Sequence, residues 1–223
     1  MAFQGILIAN RGEIAIRIAR AAAELGIKSV AIYSEDDASS LHTKIADESF
    51  LLPGLGAAAY LNMEEVINAA KKSGCDAIHP GYGFLSEQAS FAEKCAEAGL
   101  TFVGPKVEHL KLFGDKGVAR AAAISAGVPV LRGIDKAVTL KEAGAFFDEV
   151  DGGIIIKAVA GGGGRGTRSV TDKVDLEDAF SRCESEAKAS FGIGDLYVEE
   201  FVEKARHVEI QRLGDADGNV VHF

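Results

Sequence analysis

Lys157 closes the apolar run Ile154-Ile155-Ile156 and stands four residues ahead of Gly161-Gly162-Gly163-Gly164-Arg165-Gly166. A cation at a strand end, followed by a glycine loop, can enclose a polyphosphate between ammonium and backbone N–H groups. The competing reading is a mobile glycine hairpin beside a solvated lysine. The glycines contain G-x-G-x-x-G, but a dinucleotide fingerprint opens a helix, and Thr167 to Val170 reads as a strand. A Walker A loop needs Gly-Lys followed by Ser or Thr, and here Gly166 leads to Thr167-Arg168. The lysine lies on the other side of the loop.

Further polar residues stand where elements begin or end. Lys116 starts a helix in Phe113-Gly114-Asp115-Lys116, where an ammonium and a helix N-terminus could meet a second phosphate; alone it reads as a surface lysine. Glu199 and Glu200 end a strand running into Phe201 and Val202, a segment that could offer its backbone to an adenine edge. Pattern alone favours plain solvated carboxylates. His207, Glu209 and Gln211 alternate along an expected strand and so share a face. The run His79-Pro80-Gly81-Tyr82-Gly83-Phe84 follows a parallel strand at its carboxyl end, the usual ligand side of an open α/β sheet, with a tight connecting loop as the bland alternative. Neither this loop nor Asn10-Arg11-Gly12 carries a serine nucleophile elbow or metal-ligand spacing.

The elements that position these residues follow from periodicity. Gly5 to Ala9 is a strand, Ile14 to Leu25 an amphipathic helix ended by Gly26, and Lys28 to Tyr33 a second strand, which together make a β-α-β unit. The pattern continues with a helix at Met63 to Lys72, a strand at Asp76 to His79, a helix at Glu87 to Glu97 and a strand at Leu100 to Val103. Helices at Val107 to Phe113 and Asp115 to Ala126 end at Gly127-Val128-Pro129, where a domain boundary is expected. A small α+β unit follows: helix Leu140 to Phe147, strands Gly153 to Lys157 and Thr167 to Val170, helix Leu176 to Ser190, strand Leu196 to Phe201. The last stretch reads as a hairpin of Arg206 to Leu213 and Asn219 to Phe223 around Asp215-Ala216-Asp217-Gly218. Ending on an apolar strand suggests truncation.

Composition narrows the function. The 223 residues are 48% hydrophobic, enough for one large domain or two smaller ones, and 26 are glycine. A net charge of −9 with no basic run argues against a broad nucleic-acid or anionic-lipid surface. Cys75, Cys95 and Cys183 form no C-x-x-C pair and are odd in number, so a reducing cytoplasmic setting is expected. The N-terminus carries no secretory pattern, and no apolar run reaches the length of a membrane span.

Taken together, the segments resemble the biotin carboxylase family of ATP-grasp enzymes over the whole chain. The carriers are Ile-Leu-Ile-Ala-Asn-Arg-Gly-Glu-Ile-Ala at 6–15, His-Pro-Gly-Tyr-Gly-Phe-Leu-Ser-Glu at 79–87, Phe-Val-Gly-Pro at 102–105, Gly-Asp-Lys at 114–116, the glycine loop at 161–166 and Arg-His-Val-Glu-Ile-Gln at 206–211. The resemblance implies an α/β fold: a Rossmann-like N-terminal domain (1–112), a helical linker (113–131), an ATP-grasp lid (132–203) and the first hairpin (204–223) of a truncated C-terminal ATP-grasp sheet. It further implies that Lys116 and Lys157 contact ATP phosphates, that Gly163 and Gly164 cover them, and that Glu199, Glu200, Phe201 and Val202 hold adenine. His207 would lie by the nucleotide and Tyr82 on the biotin and bicarbonate side.

The implied reaction is ATP-dependent activation of bicarbonate through carboxyphosphate, then carboxylation of biotin borne on a carrier. It uses Mg²⁺ or Mn²⁺, and the implied partners are a biotin carboxyl carrier domain, a carboxyltransferase and further copies of the parent protein, with no nucleic acid or membrane. Family carboxylates for the metal, basic residues for bicarbonate and the catalytic arginine would follow Phe223, so the chain alone is expected to be inactive. Thr167 stands where the family usually has Met, and Glu200 where Lys is common; the second position acts through its backbone, so adenine recognition should survive. Other ATP-grasp ligases would share the lid and lysines without the runs at 10–13 and 79–87. A nucleotide-binding regulatory module without chemistry is the competing class. The final carboxyl acceptor, whether acetyl-CoA, propionyl-CoA, another acyl-CoA, pyruvate or urea, stays open.

Overall fold

The computed structural model describes residues 3–134, 136–159, 166–215 and 217–223, with Phe191 described by its backbone alone. The chain forms two compact units, Met1–Ala119 and Arg120–Phe223. In the first, the elements run β1 (Gly5–Ile8), α1 (Gly12–Glu24), β2 (Lys28–Tyr33), α2 (His42–Ile45), β3 (Glu48–Leu51), α3 (Gly56–Tyr60), α4 (Met63–Lys72), β4 (Ala77–His79), α5 (Ala89–Glu97), β5 (Thr101–Phe102) and α6 (Val107–Gly114). Helix α7 (Lys116–Ser125) runs across the division between the units.

All pairings in the first sheet are parallel, in the order β3-β2-β1-β4-β5. Parallel sheets need cover on both faces, and the central strand shows it: all four residues of β1 are buried. Successive side chains point to opposite faces. Leu7, Val30, Ile32 and Ile78 join Val66, Ala70, Phe91 and Cys95 in one core. Ile8 packs on Ala15, Ile18 and Ala19, and Ile6 packs with Ala22 and Ala77, beneath α1. This is the doubly wound arrangement that the β-α-β pattern predicts. Edge strand β3 has no counterpart in the sequence reading, because its burial is slight and Glu48 and Ser49 break the apolar signal.

The second unit contains β6 (Gly133–Ile134), α8 (Leu140–Glu149), β7 (Ile154–Ala158), β8 (Thr167–Val170), α9 (Leu176–Phe191) and β9 (Leu196–Glu200). Its sheet is antiparallel, in the order β6-β9-β7-β8. Helix α8 starts on a capping box in which Thr139 and Glu142 satisfy each other's backbone N–H groups. Ile154, Ile156, Ala158, Leu196 and Val198 pack one face of the sheet on Phe146, Leu176, Cys183 and Ala187. Alternation therefore sends Ile155, Lys157, Tyr197 and Glu199 to the other face. Gly153, at φ +101°, is irreplaceable by geometry: a Cβ there would lie 2.2 Å from the Val170 carbonyl oxygen.

The terminal hairpin is shorter than its sequence suggests. Strands β10 (Arg212–Gly214) and β11 (Val220–His222) pair antiparallel, with Arg212 opposite His222. Residues 206–211 are not strand, which corrects the expected strand from Arg206. The ladder begins at Arg212, opposite His222, and side-chain alternation in 206–211 marks a shared face without supplying the paired backbone that makes a strand.

Candidate functional site

In the first unit the polar groups gather where β1 and β4 end. The strand order reverses between these neighbours, since β2 and β3 lie to one side and β5 to the other. Loops after both strands diverge there and leave a crevice, the usual ligand position of an open α/β sheet. Here the crevice has a volume of about 430 Å³ and is lined by Asn10, Arg11, Gly12, Glu13, Tyr82, Gly83 and Phe84.

Asn10 ties the two loops together. It is 3% exposed, and its Nδ2 donates to the carbonyls of Pro80 at 2.7 Å and Tyr82 at 2.8 Å. Its Oδ1 accepts the Arg11 N–H at 2.9 Å. Gly81, at φ +65°, lets the loop pass this close, for a Cβ there would sit 2.8 Å from Asn10 Nδ2. The Gly81 N–H donates to Nδ1 of His79, and burial lowers that imidazole's pKa. Tyr82 is 61% exposed, and its hydroxyl donates to Glu13 Oε1. That bond lowers the Glu13 pKa and raises that of Tyr82.

A second set of contacts braces the crevice from β2. Arg11 pairs with Asp37 at 3.0 Å and lies over the Tyr60 ring, 5.8 Å from its centroid. The Tyr60 hydroxyl donates to Asp37 at 2.7 Å, and its ring stacks on Phe84 at 5.3 Å. Burial would raise the Asp37 pKa, but hydrogen bonds from Tyr60, Arg11 and Ser40 outweigh it and hold the carboxyl below its ordinary value. Burial, then Asp37, pushes Tyr60 up to about 12. Phe84 itself has φ +44°, an uncommon backbone for an aromatic residue, and the stack on Tyr60 holds it there.

In the second unit, Lys157 and Glu199 form an ion pair across β7 and β9, and the Lys157 ammonium lies 6.0 Å from the centre of the Tyr197 ring. The N–H groups of Glu200 and Phe201 donate to the carbonyls of Arg132 and Gly153, so both are engaged within the sheet. Val202 lies past the end of β9. His207 is largely exposed and sits 3.2 Å from Glu209. Lys116 is the first residue of α7, just after Asp115, whose carboxylate accepts the Val118 N–H at 2.9 Å. Gly163 and Gly164 lie outside the described residues, between β7 and β8. The segment after them is strand β8, antiparallel to β7, so the dinucleotide-type strand-loop-helix is excluded.

The structure thus brings Lys157 together with Glu199, and Tyr82 together with Asn10 and Glu13. Of these, Asn10 and Glu13 had no assigned role in the sequence, although both belong to the run after β1. Their partners lie about seventy positions away, and adjacency of β1 and β4 is the signal that would have linked them. Among the described residues no group of three or more His, Cys, Asp or Glu stands together to hold a metal ion. No helix among them is long and apolar enough to cross a membrane.

Comparison with known proteins divides the chain in the same order. Residues 2–110 match the biotin carboxylase N-terminal domain, and residues 115–223 match the ATP-binding domain of the carbamoyl-phosphate synthase L chain. Pyruvate carboxylase of Staphylococcus aureus is 53% identical over 221 residues, covering 98% of this chain and 19% of that protein. Human mitochondrial pyruvate carboxylase is 52% identical, covering 98% and 19%. The chain spans about a fifth of the length of these curated relatives. Among solved structures, a biotin carboxylase–beta-gamma-ATP complex from Campylobacter jejuni superposes with a TM-score of 0.93 at 44% identity, over 99% of this chain and 50% of that one. The biotin carboxylase domain dimer of Hydrogenobacter thermophilus 2-oxoglutarate carboxylase, in complex with MgADP, ADP and bicarbonate, gives 0.92 at 42% identity, over 100% and 49%.

Proposed function

The chain belongs to the biotin carboxylase family of ATP-grasp proteins, and from that premise we propose that it supplies the nucleotide lid and the substrate-side loop of an enzyme that carboxylates carrier-borne biotin. A bicarbonate oxygen attacks the γ-phosphorus of ATP, giving carboxyphosphate and ADP. The carboxyl group then passes to a ureido nitrogen of biotin, which loses a proton, and phosphate leaves. The observation that carries the reading is that a biotin carboxylase N-terminal domain and an ATP-binding domain of the carbamoyl-phosphate synthase L chain type follow one another along a chain that superposes, at a TM-score of 0.93, on a biotin carboxylase.

In this reading Lys157 and Lys116 contact ATP phosphates, Gly163 and Gly164 cover them, and Glu199 to Val202 border the adenine. The Lys157–Glu199 pair supports a polar floor at that position, with the ammonium already held out from the helix-covered face. With the N–H groups of Glu200 and Phe201 engaged, Val202, just past the end of β9, is the residue of this segment placed to offer adenine an N–H. His207 lies by the nucleotide and Tyr82 faces biotin and bicarbonate. Magnesium accompanies the nucleotide and neutralises its phosphate charge when bound. The division into 1–112, 113–131, 132–203 and 204–223 goes with this assignment.

A biotin carboxyl carrier domain, a carboxyltransferase and further copies of the parent complete the assembly, in the reducing cytoplasm. Three buried free thiols, with burial pushing Cys75 and Cys95 up to about 11, are consistent with that compartment. The curated relatives favour pyruvate as the final acceptor. Calorimetry on the complete enzyme tests the nucleotide assignment: Lys157→Gln should weaken ATP binding roughly tenfold or more, as loss of a charge-assisted contact of ~1.5–3 kcal/mol requires. Lys71→Gln on the exposed face of α4 removes the same charge and should leave affinity unchanged. Equal affinities in two folded variants would make Lys157 a structural partner of Glu199 and nothing more.

A further inference from the structure

The switch-point crevice has a definite hydrogen-bonding polarity. Tyr82 can act as donor or acceptor, but its one hydroxyl proton is directed to Glu13. The phenolic oxygen then has only lone pairs left for a ligand. Glu13 also brings a negative charge to the lining, and the crevice's cation does not balance it, because the Arg11 guanidinium is committed to Asp37. Both features disfavour an anion and favour a neutral N–H donor.

We propose that Glu13 is a positioning residue that fixes the Tyr82 hydroxyl as an acceptor, so that this crevice takes the N–H edge of biotin's cyclic urea and not bicarbonate. The inference rests on the reading that Tyr82 faces the biotin and bicarbonate side. The lowered Glu13 pKa and raised Tyr82 pKa agree with a charged carboxylate accepting from a neutral phenol. Asn10 contributes by fixing the Tyr82 backbone, so that Glu13 has only the ring and hydroxyl to aim.

The test uses the complete enzyme with free biotin as acceptor and follows KM for biotin and for bicarbonate separately. Tyr82→Phe and Glu13→Ala should each raise KM for biotin roughly two- to tenfold, the loss of one hydrogen bond, with KM for bicarbonate unchanged. Their combination should be no worse than Tyr82→Phe alone, because Glu13 acts through Tyr82. Glu13→Gln, whose amide oxygen still accepts the hydroxyl proton, should stay close to wild type. Both side chains are exposed, so the variants should fold, and circular dichroism checks this. If Tyr82→Phe raises KM for biotin while Glu13→Ala leaves it at the wild-type value, the positioning role of Glu13 is overturned and the placement of Tyr82 survives. A rise in KM for bicarbonate instead would show that Tyr82 donates to the anion and overturn the polarity. If Tyr82→Phe moves neither constant, the placement of Tyr82 itself fails.

Discussion

Asn10→Ala should be costly for the first unit out of proportion to the size of the side chain it removes. The residue is 3% exposed and makes three hydrogen bonds, to the carbonyls of Pro80 and Tyr82 and from the N–H of Arg11. Each such bond contributes about 0.5–1.5 kcal/mol net, and truncation leaves buried backbone groups without partners, so the total loss should be about 2–4 kcal/mol. Amide hydrogen exchange by mass spectrometry separates this loss from events elsewhere. Amides of β1 lie in the sheet centre and exchange through global opening of their unit. Their protection should fall roughly 30- to 1,000-fold, while β7 amides in the second unit keep theirs. Asn10→Asp is the sharper variant: it keeps the acceptor for Arg11 but turns lone pairs toward two carbonyls, so it should be at least as damaging as Ala. Protection within about twofold of wild type in Asn10→Ala, or wild-type protection in Asn10→Asp, would refute the claim that this amide joins the two loops.

The Asp37 carboxylate offers a pH-dependent test. Its folded pKa lies below the unfolded value of about 3.9, so its contribution is present above that value and is lost as pH falls through the folded pKa. Asp37→Asn should cost about 1–3 kcal/mol in urea unfolding at pH 7, with the gap to wild type narrowing below about pH 4; a gap independent of pH would count against the charge. Gly153→Ala forces a side chain onto φ +101° and against the Val170 carbonyl, so the second unit should lose at least about 1–3 kcal/mol while β1 protection stays unchanged. An alanine variant as stable as wild type would mean that the connection from α8 into β7 relaxes freely away from the end of β8.

Local chemistry explains which parts of the architecture could be read from the chain. Apolar periodicity placed α4 at Met63–Lys72 and β2 at Lys28–Tyr33, because both are long enough to carry an unbroken pattern. Gly26 after α1 punctuates in a way that needs only neighbouring residues. Strand β3 and the short helices α2 and α3 escaped, since four or five residues give no period and their structure depends on docking against β2. The expected strand at 206–211 failed for a related reason: alternation marks a face, but a strand also needs a partner.

The candidate site divides the same way. Lys157 was legible because it adjoins the glycine loop in sequence, and Tyr82 because its loop ends a parallel strand. The ion pair of Lys157 with Glu199 requires knowing that β7 and β9 are neighbours, 42 positions apart along the chain. The Arg11–Asp37–Tyr60–Phe84 brace joins four segments through tertiary contact alone. No spacing rule in a single sequence encodes it.

Transfer of radiolabel from bicarbonate to biotin tests the central claim most directly. The complete reading frame containing this chain should fix label into biotin only when ATP and magnesium are both present, releasing one ADP for each carboxyl transferred. Residues 1–223 alone should fix none and show no bicarbonate-dependent ADP release. Label fixed without ATP, or bicarbonate-dependent ADP release by the isolated chain, would contradict the account.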